Sequence, residues 1–162
     1  MRFVRSEPTM RAMGVIEFEI ERSIAAPIQD VFARLADIEG HNEWMPSKGS
    51  ILARTQQTSP GAPGLGTTYL DKTSFGSTPG EIVEFEPPHL LAYKIVESRP
   101  LKLAHDIGRM RLTAQGGRTE LLWETTFAVR VPLIGGPLTY VVRFAMQRTF
   151  SKILPRSMVS AV

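Results

Sequence analysis

The chain has 162 residues, 43% hydrophobic and 22% charged, with a formal net charge of +3, which is the size and make-up of one globular domain with a sizeable core. It contains no cysteine, which excludes disulfides and thiolate metal sites and agrees with a cytoplasmic setting. Residues 1–13 lack the apolar core of a secretory signal and no window approaches the roughly 20 apolar residues of a membrane span, so the expectation is a flexible arm at 1–13 and a single domain at 14–162.

The first element is a strand. Ile16, Phe18 and Ile20 alternate with Glu17, Glu19 and Glu21, the two-residue period of a sheet with one dry and one wet face. The period then changes: Ala26-Pro27 stops the strand, Pro27 suits the first position of a helix, and Ile28, Val31, Phe32 and Leu35 follow at helical spacing. Asp37 and Trp44 come after it, in what reads as a second short helical turn.

Further strands are expected at Ser50 to Gln57, Thr67 to Thr73, Gly80 to Glu86 and Leu90 to Ser98, with a Gly/Pro loop over Thr58 to Gly66 and a turn at Pro87-Pro88. Two long strands, Ala104 to Gln115 and Thr119 to Val131, are joined by Gly116-Gly117-Arg118, a hairpin connection. That makes seven strands, with both helices between the first and the second. From Leu138, the residues Val141, Val142, Ala145, Met146, Thr149 and Ile153 form one stripe of an amphipathic helix, which Pro155 ends or kinks. Tyr140 and Phe144 lie off that stripe, available to the early helices or to a second subunit, so a homodimer is one open assembly.

Ala26, Pro27, Val31, Phe32, Asp37 and Trp44 in this order and spacing resemble the opening of the polyketide cyclase/dehydrase and lipid transport family, within the START-like (SRPBCC) superfamily of helix-grip proteins. Gly64-Leu65-Gly66-Thr67, Glu84-Phe85-Glu86-Pro87-Pro88 and Pro132-Leu133-Ile134-Gly135-Gly136-Pro137 extend the likeness, which covers roughly Val15 to Met158. The resemblance implies an α+β helix-grip fold: a curved seven-stranded antiparallel sheet wrapped around the long C-terminal helix, with an apolar cavity between them. It leaves function open, because one fold hosts carriers, cyclases and partner-binding modules.

Alternation supplies the side chains expected to face such a cavity: Val83 and Phe85; Leu91, Tyr93 and Ile95; Met110 and Leu112; Leu121, Trp123, Phe127 and Val129, joined by Val142 and Met146 from the helix. Between Tyr69 and Leu70 alternation does not choose; Tyr69 is carried as a candidate ligand contact. The same parity turns Glu81, Glu97, Asp106, Thr119 and Thr125 inward. The three carboxylates are the candidate catalytic groups, since an enclosed carboxyl has its charged form disfavoured and its pKa raised, which suits a general acid or base. They also stand near strand ends, where solvent reaches in.

Other chemistries find no support. His41, His89 and His105 lack metal-ligand spacing, so no metal is expected. No G-x-S-x-G elbow accompanies the serines, and the glycines of GAPGLG match neither the Rossmann nor the P-loop pattern, so no cofactor is implied. The arginines and lysines are scattered without aromatic interleaving, and nucleic acid is not an expected partner. Three functions stay open: binding or transport of a hydrophobic small molecule such as a lipid, quinone, terpenoid or polyketide, which is preferred; a polyketide cyclase/aromatase-like enzyme using a carboxylate or tyrosine; and a partner-protein-binding module with a filled core.

Overall fold

The computed structural model describes residues 14–44, 52–73, 76–96, 103–105 and 107–129. The amphipathic helix expected from Leu138, with Val142 and Met146, lies outside the described residues, as do Glu97, Asp106 and the arm at 1–13. The strands are β1 (Gly14–Ile24), β2 (Leu52–Gln57), β3 (Thr68–Thr73), β4 (Gly76–Glu86), β5 (Leu90–Ile95), β6 (Leu103–His105), β7 (Gly108–Gln115) and β8 (Arg118–Val129). Helices α1 (Ile28–Ala36) and α2 (His41–Trp44) stand between β1 and β2. All pairings are antiparallel, in the order β1-β8-β7-β5-β4-β3-β2, with β6 off this path on β8.

The single strand expected at Ala104 to Gln115 is thus two, β6 and β7. His105 stands opposite Phe127 and Arg109 opposite Glu124, so four steps on one side meet three on β8. One extra residue breaks the parity there, and breaks of this kind bend and twist a sheet.

Period 2 gives the sheet an inner and an outer face. On the inner face Ile20 faces Trp123, Trp123 faces Met110, Met110 faces Leu91 and Leu112 faces Leu121. Helix α1 covers this region with Ile28, Val31, Phe32, Leu35 and Ala36, forming one core with Ile24 and the strand residues. Phe32 meets Phe85 edge-on, with ring centroids 5.3 Å apart, a favoured aromatic geometry. Pro27 precedes the helix rather than opening it: its φ, ψ are −59°, 146°, and its carbonyl accepts the amides of Asp30 and Val31 at 3.1 Å. On the outer face the arginines of the β7–β8 hairpin are engaged by neighbours. Arg109 pairs with Glu84 at 2.7 Å, Arg111 pairs with Glu124, and Arg118 Nε donates to Ser23 Oγ.

Two local devices hold α2 and the sheet edge. Asp37 Oδ1 accepts the Gly40 amide at 3.0 Å and its backbone carbonyl accepts the amide of His41. Glycine leaves room for that carboxylate, since a Cβ on Gly40 would lie 2.1 Å from Asp37 Oδ2. Asn42 then clips onto edge strand β2, its Nδ2 donating to Thr55 O at 2.6 Å and its Oδ1 accepting Thr55 N–H at 2.7 Å. A side-chain amide here occupies backbone groups that an open edge would leave unpaired.

A bulge in β4 overturns one expectation. Ile82 stands opposite Tyr93 and Glu84 opposite Ala92, so Val83 is an extra residue between them. Counting back from Phe85 without it turns Glu81 inward; with it, Gly80 and Ile82 share the inner face with Tyr93, and Glu81 stands opposite Lys94 and Thr68 on the outer one. Glu81 is therefore no inner-face acid.

Leu121 is 1% exposed in the α1-covered core, whereas Leu65 in the β2–β3 loop is 73% exposed. Leu121→Ala is expected to cost about 2–5 kcal/mol and Leu65→Ala within roughly 0.5 kcal/mol of nothing, as read by urea unfolding; similar midpoints for the two variants would contradict this division of the sheet.

Candidate functional site

Beyond the region under α1, the inner face carries two tyrosines, each lying on a glycine. Tyr69 stands opposite Gly80, and Tyr93 opposite Gly108. A Cβ placed on Gly80 would lie 2.3 Å from Tyr69 Cζ, and one on Gly108 would lie 2.3 Å from Tyr93 Cζ. Both rings therefore lie across bare backbone, a close approach that glycine within a strand permits. The register also settles the choice on β3: Tyr69 is inward and Leu70 outward.

Tyr93 is held at its hydroxyl end as well. The indole Nε1–H of Trp123, which can only donate, bonds to Tyr93 Oη at 3.2 Å, and the two rings meet edge-on at 6.4 Å. Thr125 is a second hydrogen-bonding neighbour of the phenol. Burial pushes the Tyr93 hydroxyl up to about 12, and burial raises Tyr69 well above its ordinary value. Both phenols keep their protons at any physiological pH.

Asp71, two residues along β3 from Tyr69, completes the group. Thr55 stands opposite it and donates its hydroxyl to Asp71 Oδ1 at 2.8 Å. Burial raises the Asp71 carboxyl to about 6, against the downward pull of the Thr55 bond. Its charge is felt at both tyrosines, where it makes phenol ionisation harder still. A carboxyl that titrates near neutrality beside two proton-bearing phenols can exchange protons with a bound molecule or accept its hydroxyl groups.

Of the residues expected to line a site, Tyr69, Tyr93, Ile95 and Trp123 share the inner face around this cluster, Ile95 standing opposite Gly80. Phe85, Met110 and Leu112 also face inward and pack with the α1-covered core, which Trp123 joins from β8 and Tyr93 borders. Val83 is the bulge residue, and Phe127 lies in β8 with its side chain outside the described part. His41 joins the two helices, its Nε2–H donating to Leu35 O at 2.9 Å, and burial lowers its pKa. A groove of about 280 Å³ along Glu17, Glu19, Glu124, Thr125 and Thr126 holds mostly outer-face carboxylates and polar atoms, a poor seat for an apolar guest.

Asp71, Thr55, Gly80 and Gly108 were not among the expected site residues. Their signals exist: Thr67, Tyr69 and Asp71 alternate, so placing Tyr69 inward places Asp71 there too, and an isolated strand glycine marks a close approach.

A family described as polyketide cyclase / dehydrase and lipid transport matches residues 15–156. The chain belongs to that family. Among solved structures, this family member is similar to the Zhui aromatase/cyclase of a Streptomyces species, with a TM-score of 0.71 and 17% identity over 90% of this chain and 92% of that one. It is also similar to a protein of Thermus thermophilus, with a TM-score of 0.69 and 18% identity over 91% of this chain and 100% of that one. The di-domain ARO/CYC BexL gives 0.70 and 20% over 91% of this chain, which spans 51% of that one. These likenesses establish the helix-grip fold. No curated protein matches the sequence at a significant level.

The raised Asp71 carboxyl ties stability to pH. Its folded pKa of about 6 exceeds the ordinary 3.8, so the folded state holds this proton more tightly and loses stability as pH rises from about 4 through 6. Asp71→Asn removes the charge, and urea unfolding is expected to show it roughly 1–3 kcal/mol more stable than wild type at pH 8, with the difference vanishing near pH 4. An equal or lower stability at pH 8 would contradict the buried placement. Gly108→Ala, which drives a methyl into the Tyr93 ring, is expected to cost about 1–3 kcal/mol, and to shift or broaden the Trp123 indole signal in NMR; an unchanged spectrum would mean the ring does not lie there.

Proposed function

We propose that this domain binds a small, largely apolar molecule on the inner face of its sheet, beside helix α1, with Tyr69, Tyr93, Ile95 and Trp123 against its apolar body and Asp71 at its polar end. The observation that carries this reading is the division of the inner face. Helix α1 covers the segment around Leu112, Leu121 and Leu91, whereas Tyr69, Asp71, Tyr93 and Ile95 remain partly accessible and bring phenols and a carboxyl into an apolar setting. Such a mixture of apolar walls and a few convergent polar groups is the usual form of a small-molecule site. A guest that buries about 200 Å² of apolar surface gains about 5 kcal/mol. Carriage of a lipid, quinone, terpenoid or polyketide fits this chemistry, and the family's description supports it.

Asp71 also favours a second reading, catalysis. A carboxyl near its midpoint at neutral pH is matched to taking a proton from a carbon next to a ketone and returning it to oxygen, the steps of aldol closure and dehydration, while a proton-bearing phenol steadies the enolate oxygen. The similarity to an aromatase/cyclase supports the same direction. Glu97 and Asp106 remain candidates of the same kind.

Native mass spectrometry of protein purified without detergent tests the binding reading. The expected spectrum shows a non-covalent adduct that leaves on denaturation, and the emptied protein regains a guest when naphthalene or a naphthyl ketone is added, with quenching of tryptophan fluorescence. A bare mass with no uptake of either probe would overturn it. With a poly-β-keto thioester as substrate, catalysis predicts product formation that Asp71→Asn lowers about 100-fold without loss of binding; unchanged turnover in that variant would leave carriage alone.

A further inference from the structure

We propose that Asp71 is a specificity-determining residue that turns carboxylate-bearing molecules away from the inner-face site and reserves it for neutral ligands whose polar end is a carbonyl or hydroxyl oxygen. This rests on the binding reading above and states what the site selects.

The polar groups gathered on this face are the Asp71 carboxyl, the Tyr69 and Tyr93 phenols, the Thr55 and Thr125 hydroxyls and the Trp123 indole N–H. All but Asp71 are neutral, and the one full charge among these described groups is negative. A site built for a fatty acid or another anionic lipid places a guanidinium or ammonium at the head group, where a charge-assisted bond offsets the loss of hydration. The described cations next to this cluster are turned away from it. Lys72 and Arg54 stand opposite each other on the alternate positions of β3 and β2, so both belong to the outer face, while Asp71 and Thr55 form the inner pair. Lys94 stands opposite Glu81 on the outer face, and Arg109 is engaged by Glu84 there.

The carboxyl is not an accident of a loose edge. Thr55 is 2% exposed and directs its hydroxyl to Asp71. The backbone of Thr55 is in turn clamped at both N–H and C=O by the Asn42 amide. The chain from α2 through β2 to Asp71 thus fixes the carboxylate oxygen in place. Burial makes its charge costly, and a second carboxylate brought beside it in the same low-dielectric space is repelled strongly. A ketone or hydroxyl meets no such repulsion: the phenols donate to a ketone oxygen, and the carboxylate accepts from a hydroxyl.

The test uses the full chain at pH 8, where Asp71 is ionised, and three probes of one size: 2-acetonaphthone, 2-naphthoate and 2-(aminomethyl)naphthalene, titrated against tryptophan fluorescence. Wild type is expected to bind the ketone about tenfold or more tightly than the naphthoate, and the ammonium probe more tightly than the naphthoate. In Asp71→Asn the naphthoate is expected to gain about tenfold and the ammonium probe to weaken, so that the preference for the ketone over the naphthoate shrinks by about the same factor. Asp71→Ser serves as a second charge-removing variant and should act the same way. Equal binding of ketone and naphthoate by wild type, or a naphthoate affinity unmoved in both variants, would overturn the proposal and leave the binding reading standing. Failure of all three probes and of naphthalene itself would instead remove the binding reading.

Discussion

The hydroxyl end of the Tyr93 ring sits over Gly108 because no side chain rises from that strand position, and the remainder of the inner-face chemistry is arranged around this seat. The ring spans from its own strand toward β8, where Trp123 reaches the hydroxyl with an N–H that can only donate. Tyr69 repeats the device on Gly80. Two phenols are thereby laid into the inner face beside the hydroxyls of Thr55 and Thr125, with their oxygens placed by backbone spacing rather than by flexible stems, the kind of placement a binding site needs.

Asp71 stands in tension with this setting. A carboxyl lifted to about 6 by burial weakens the folded state as pH rises from about 4 through 6, and Thr55 offsets only part of the cost. A local conflict of this kind between charge and burial is what the proposed role of Asp71 in the inner-face site accounts for. The outer-face pairs behave differently: Arg109 holds Glu84 below the usual carboxylate range through a half-buried surface contact, which contributes modestly to stability. The two faces thus use charge in opposite ways, one for solubility in the open and one at a cost inside.

Much of the framework was legible from spacing. The alternation of Ile16, Phe18 and Ile20, the break at Pro27 and the helical repeat of Ile28, Val31, Phe32 and Leu35 correspond to β1 and α1, and the early helices stand between the first two strands as expected. Parity failed where the chain inserts a residue. Val83 adds one step to β4, and this alone moves Glu81 to the outer face; a bulge leaves the local composition unchanged, so alternation has no means to register it. The break between β6 and β7 is of the same kind.

The candidate site was half legible as a set of inner-face positions. Tyr93, Trp123 and Ile95 follow from alternation within strands free of irregularity. Asp71 was hidden by the open choice between Tyr69 and Leu70, which only the pairing with Gly80 decides. The most direct measurement of the whole account is a pH titration of the Asp71 side-chain carboxyl by carbon-detected NMR, with the ring signals of Tyr69 and Tyr93 followed in parallel. A midpoint of about 6 is expected, with both rings reporting the same transition; a midpoint near the ordinary 3.8, with silent rings, would show a solvated carboxylate that shares nothing with the tyrosines.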